Sequence, residues 1–329
     1  MLLFLFSCGA KPLDKITTSK TYHKNGQTKR CTNYKNGIID GRYTEYYDNG
    51  QIRSSGNYNY NKKDGDWADY YKNGQIENRR QYLKGKADGK WEYYYLDGDI
   101  KQTVNYKDGN KHGKHIKYDT YKHISSTKSY YYGKKDGVWI SYYKNNHVRY
   151  EKKYKNGLKD GKWIHYHKNG QIRYEKKYRN DLEDGKWVNY YSSGQIEKVS
   201  NYKDGNKEGK WLHYFHDGQL VIEKNYRYAV EHGKNIEYYK NGQIKYKGNY
   251  KTGKKEGKWT FFYSDGQIME KVNYKDGKYD GENIVFYKNG GIKSKGVWES
   301  GRKNDLWEWF YENGQLMQEI SYIDGNLSW

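Results

Sequence analysis

Glycine returns every 24 residues along this chain, at 41, 65, 89, 113, 137, 161, 185, 209, 233, 257 and 281, and the series lapses at 305, where Asp305 stands. A second series keeps the same step: Gly26, Gly50, Gly74, Gly98, Gly170, Gly194, Gly218, Gly242, Gly266, Gly290 and Gly314, with Lys122 and Asn146 in the two gaps. A fixed period of this length marks a unit copied and stacked, each copy burying its surface against the next. Counting domains from length therefore does not apply; 329 residues hold about twelve copies.

The stretch Asp64 to Tyr82, DGDWADYYKNGQIENRRQY, shows what one copy contains. Asn73-Gly74 predicts a type I′ turn, in which both central residues take positive φ, so Trp67 to Tyr71 and Gln75 to Tyr82 should form a β-hairpin. Trp67, Tyr70 and Tyr71 also fit one helical face, but the segment is too short for a helix and rich in strand formers. Along the second strand Ile76 and Tyr82 share a face, as do their counterparts Ile172 and Tyr178. In the first strand Ile140, Ile164, Val188 and Leu212 share a face with Tyr142, Tyr166, Tyr190 and Tyr214, which places Trp139, Trp163, Trp187 and Trp211 on the opposite one. Aromatics on both faces suit an all-β, elongated single-layer antiparallel sheet of repeated hairpins, held by rows of stacked neighbours instead of a buried core. The return stretch, Tyr202 to Trp211 (YKDGNKEGKW), reads as a loop along the other edge.

Composition by itself resembles a disordered chain, with net charge +21 and few aliphatic residues. The phase of the aromatics excludes that reading, because 42 tyrosines held in register are not low-complexity sequence. The positive charge suits an acidic partner, or serves solubility alone, with local neutralisation at Asp88 and Lys90, Asp160 and Lys162, and Glu208 and Lys210. Residues 1–8, MLLFLFSC, resemble the lipobox of bacterial lipoproteins in Leu5, Ser7, Cys8 and the following Gly9, which implies lipidation at Cys8. The apolar run is shorter than a full signal peptide, as expected if the true start lies upstream. Residues 9–21 read as a tether and 22–329 as the repeat array. Cys31 is then the one remaining thiol, which excludes an intramolecular disulfide framework.

The recurring Gly, Trp, Tyr-Tyr, Asn-Gly, aliphatic and final Tyr, as in DGKWVNYYSSGQIEKVSNYKDG from Asp184 to Gly205, resemble the MORN repeat family (membrane occupation and recognition nexus) in its bacterial variant, over residues 22 to 326. The resemblance implies joined hairpins in a twisted antiparallel sheet that acts as a scaffold, some members associating with phospholipids and some bacterial ones labelled as antitoxins. Similar chains have carried a phosphoinositide kinase label, but this one has no Gly-rich loop with a GK[ST] motif and no kinase-like segment.

Two copies depart from the pattern: residues 111–133, with His115 for Trp and Asp119 for Tyr, and residues 229–236, with Ala229 for Gly and Asn235 for Trp. The histidine pairs His112 and His115, His165 and His167, and His213 and His216 are the only candidates for metal or acid-base chemistry, and surface substitution explains them better. No catalytic residue, metal ligand or cofactor is expected. The expectation is a non-enzymatic, envelope-tethered scaffold binding a protein partner, with Trp139, Trp163, Trp187 and Trp211 as the candidate surface. Anionic phospholipid and cell-wall glycan are the alternatives, and nucleic acid is the weakest reading.

Overall fold

The strands Lys62–Tyr70 and Ile76–Leu83 form one hairpin, with Gly65 opposite Tyr82, Trp67 opposite Arg80 and Tyr70 opposite Ile76. Strand Lys86–Tyr94 pairs on the far side of the second, Leu83 opposite Lys86. This computed structural model describes residues 14–327, and among them the chain is all β, with 31 strands and no helix. By internal contacts, residues up to Val148 with Lys153–Leu158 form one unit, and Arg149–Lys152 with the residues from Lys159 onward form a second. Each unit is an antiparallel meander of such hairpins.

The turns are exchanged relative to the sequence expectation. At Asn73-Gly74 only the glycine has positive φ (88°). Gly74 N–H donates to the Tyr71 carbonyl (2.9 Å) and Tyr71 N–H to the Gln75 carbonyl (2.8 Å). That is a type I turn closed by a left-handed glycine. Asn73 contributes through its side chain, whose Oδ1 accepts from Gln75 N–H (3.1 Å). Lys122 (φ 68°) and Asn146 (φ 64°) adopt the left-handed conformation themselves where the glycine is missing.

The type I′ turns lie at the other edge, in the stretch expected to be a loop. Lys84 and Gly85 both have positive φ (49° and 86°) between the facing residues Leu83 and Lys86. The segments that follow are strands with a bulge, where the 65-series glycines sit: Asn57 faces Asp64 and Ser55 faces Ala68, so extra residues are taken up on one side. The acid before that glycine holds the next turn. Asp64 accepts from Lys84 N–H (2.9 Å), Glu208 from Tyr228 N–H (3.0 Å) and Asp280 from Ser300 N–H (3.1 Å). The expected neutralisation of Lys210 by Glu208 is thus replaced by a pair with Glu223 (3.1 Å).

The array also starts earlier than expected. Strand Ile16–Tyr22, rich in β-branched threonines, pairs with Thr28–Lys35, Ile16 opposite Lys35, within the stretch read as a tether. Cys8 lies outside the described residues.

Two side chains bind most hairpins to a neighbour. The Trp67 indole N–H donates to the carbonyl of Asn57 on the preceding strand (3.0 Å), and the same bond, ten residues back in sequence, recurs from Trp91, Trp139, Trp187, Trp211, Trp259 and Trp307. Trp67 is buried, and its ring lies on the backbone of Gly56, where a Cβ would fall 2.2 Å from it. At the Asn-Gly edge the Tyr71 hydroxyl donates to the Tyr94 carbonyl (2.8 Å), and Tyr191 does the same to Tyr214 (2.7 Å). These bonds satisfy carbonyls at the bulges and turns that the ladder leaves over.

Candidate functional site

Trp and the strand-ending Tyr alternate along one face. In the first unit Tyr58, Trp67, Tyr82, Trp91 and Tyr106 follow at centroid spacings of 5.2, 6.3, 5.2 and 4.6 Å. In the second, Trp163, Tyr178, Trp187, Tyr202, Trp211 and Tyr226 follow at 5.1, 5.2, 4.6, 5.3 and 5.1 Å. Tilted and edge contacts of this kind add to the area the rings bury.

Lysines lie over the row. Lys63 sits 4.1 Å from the Trp67 centroid, Lys176 4.3 Å from Trp187, Lys255 4.4 Å from Trp259 and Lys303 4.5 Å from Trp307. In each the ammonium itself lies over the ring and is partly desolvated there, held by the negative ring face. Burial lowers the pKa of all four.

The four candidate tryptophans are therefore not an open aromatic surface. Trp139, Trp163 and Trp187 are at most 9% exposed; Trp139 and Trp187 are each packed between two tyrosines, and Trp163 packs on Tyr178. Trp211 is half-buried and forms the floor of a groove of about 300 Å³ lined by Lys198, Lys207, Leu212, His213, Ile222 and Tyr226. Lys198 and Lys207 stand 4.9 and 4.8 Å from its ring. A partner at this face meets ammonium groups first and rings between them, an arrangement that alternation alone does not reveal.

The histidines are dispersed. His165 stacks between Tyr150 and Tyr174 (5.3 and 4.5 Å), whereas His167 points at the turn edge, its Nε2 3.4 Å from the Tyr190 carbonyl. His216 stacks on Tyr191 at 3.6 Å. Among the described residues no group of three His, Cys, Asp or Glu side chains is placed to hold a metal ion. No helix among them is long and apolar enough to cross a membrane.

The MORN repeat variant model matches eleven segments, residues 17–36, 39–60, 63–84, 87–108, 135–156, 159–180, 183–204, 207–228, 231–252, 255–276 and 306–324. The chain belongs to this MORN repeat family, a non-catalytic repeat family. Residues 109–134 and 277–305 fall between the matched segments. Among curated proteins no match was found. Among solved structures the chain is similar to the Photorhabdus luminescens Tc holotoxin pore carrying the TccC3-D651A mutation, at 13% identity and a TM-score of 0.20, over 94% of this chain and 17% of that one. It is also similar to the TcdB2-TccC3-Cdc42 complex, at 11% identity and a TM-score of 0.19, over 94% and 18%. The chain thus spans less than a fifth of the length of these structures, and TM-scores so low carry no argument about fold or function.

Proposed function

We propose that this chain is a non-enzymatic repeat scaffold, tethered to the bacterial cell envelope through Cys8, that binds a protein partner on the face where lysines cover the aromatic row. The groove over Trp211 is the observation that carries this reading. It joins a half-buried indole and Ile222, which stands opposite His213, to a rim of lysines, the combination of apolar anchor and polar surround found at protein interfaces. A net charge of +21 favours an acidic partner surface and fast, steered encounter. The MORN repeats supply a regular, extended surface of the kind that repeat scaffolds use to bind partners.

The test is site-specific photocrosslinking in cells from a probe at position 213, in the wild type and in Trp211→Ala. One adduct band of defined mass, lost in Trp211→Ala and restored by Trp211→Phe, supports the reading. Flotation of the purified chain with anionic vesicles that vanishes at high salt, with no protein adduct from the groove, would replace it by binding to anionic phospholipid.

A further inference from the structure

The copy at residues 110–131 keeps the hairpin and reverses the charge at one position of its face. In the copy at 62–83 one face holds Lys63, Trp67, Asp69 and Arg80, and Asp69 is ion-paired with Arg80. The positions 48 residues on are Lys111, His115, Lys117 and Lys128. An ion pair has become two lysines. The register places them together: His115 is directly opposite Lys128, and Lys117 is opposite Ser126 on one side and Gln102 on the other. Directly opposite residues on a sheet have Cβ atoms about 5 Å apart. Lys135, opposite Tyr130 on the next strand, joins the same face, its ammonium 5.1 Å from the Trp139 ring with Lys128 at 4.9 Å. Among the described residues none of Lys111, Lys117, Lys128 or Lys135 has an ion pair with a carboxylate.

Like charges placed side by side without a counter-charge destabilise a sheet. Packing explains the loss of tryptophan here, because Val104, 2% exposed, stands opposite His115 and occupies the space that Gly56 leaves for Trp67. It does not explain four uncompensated ammonium groups. At the centre of the cluster His115 is 7% exposed; its Nε2 is 3.4 Å from Gln102 Oε1, and its Nδ1 is buried without a partner. Burial and then Lys111, Lys117 and Lys128 lower its pKa to about 4, so the ring is neutral near pH 7; its one N–H is spent on Gln102, and Nδ1 is a buried lone pair that would take up a proton once an anion offset the lysines.

We infer that this copy is a binding site for a compact, multiply charged phosphate group of the diphosphate class. A single carboxylate would leave most of the cluster uncompensated, whereas a diphosphate presents several oxygens within one span and takes charge-assisted bonds from three or four ammonium groups at once. This site is separate from the groove over Trp211, so it stands or falls independently of the protein-binding reading.

The probe is inorganic pyrophosphate, titrated into the full chain by calorimetry at physiological salt. Lys117→Asp restores the residue that stands at 69 and should preserve the hairpin, as checked by circular dichroism. Saturable one-to-one binding is expected, weakened at least about tenfold by Lys117→Asp and by Lys128→Ala, but less than about twofold by Lys303→Ala, a comparable ammonium in another copy. A bound anion would also raise the His115 pKa, read by nuclear magnetic resonance of the ring. A parallel arm with phosphatidate vesicles separates the sources: flotation competed by pyrophosphate assigns the site to a lipid-borne phosphate, and pyrophosphate binding without flotation assigns it to a soluble ligand. No saturable binding, binding unchanged in Lys117→Asp, or equal loss in Lys303→Ala would each overturn the inference.

Discussion

Gly248→Ala tests whether the tryptophan row holds the sheet. Gly248 has ordinary extended backbone, and on conformational grounds alone alanine should stabilise a strand position there by about 0.4–1 kcal/mol. The structure reverses the sign. The new Cβ would fall 2.2 Å from Cδ2 of Trp259, a side chain only 1% exposed, which also donates to the Asn249 carbonyl (3.2 Å) and carries Lys255 at 4.4 Å. The indole must leave its place, and overpacking with loss of the indole bond gives a destabilisation of about 2–4 kcal/mol. Because each copy contacts mainly its neighbours, the loss should concentrate in residues near 244–275. Hydrogen exchange resolved by segment is the assay, combined with a double-mutant cycle. In the Trp259→Ala background the same Gly248→Ala should cost nothing, since the clash partner is gone. A neutral or stabilising Gly248→Ala in the wild-type background would refute the argument.

Further outcomes are expected. Tyr71→Phe removes the hydroxyl bond to the Tyr94 carbonyl (2.8 Å) and should cost about 0.5–1.5 kcal/mol, seen as faster exchange at the 71–75 and 95–99 turns; unchanged exchange there counts against a role for the rung. Lys122→Gly relieves a left-handed lysine (φ 68°) and should raise stability by about 0.5–1 kcal/mol in chemical denaturation, whereas a loss would show that the Lys122 pair with Asp99 (3.0 Å) matters more. His115 and His165 have pKa values near 4 in the fold, set by burial and then by surrounding cations, against about 6.5 unfolded. Below about 6.5 the unfolded chain takes up the protons first, so their contribution is complete above that pH and is lost progressively down to about 4. His115→Asn, which installs the residue found at 235 and 283, should flatten the fall in denaturation midpoint between pH 7 and 5; equal slopes in both proteins would contradict it.

The repeat period, the hairpins and the placement of Trp opposite the Ile and Tyr of its own strand were legible because they follow from spacing and two-residue alternation. The turn types were not. Asn73-Gly74 serves a type I′ turn or a type I turn with a left-handed glycine equally well, and the choice depends on whether Tyr71 pairs with Gln75, which is a property of register. The return stretch read as a loop because its glycines suggest turns, whereas Gly209 and its counterparts lie in bulged strands. Trp139, Trp163 and Trp187 promised exposed rings, since a one-layer sheet has no core to take them. Burial came from lysines of the same copy, Lys135 over Trp139 and Lys159 over Trp163, from Lys176 of the preceding copy over Trp187, and from flanking tyrosines, contacts set by register and side-chain direction and not by alternation. The charge inversion at Lys117 was visible in the letters, but only the register, which sets Lys128 opposite His115 and Lys117 opposite Ser126, and the partner-free Nδ1 of His115 gave it meaning.

The indole bond reaches ten residues back, and the tyrosine bond reaches 23 residues forward. Neither looks further along the chain than the adjoining copy. Excising 24 residues from a regular stretch would rejoin each donor to an acceptor of the same kind, while excising 23 or 25 would turn every later side chain to the wrong side. Copy number in this protein is therefore adjustable in whole steps of 24 residues, because the two bonds that join one copy to the next end on backbone carbonyls and ask nothing of the side chains there.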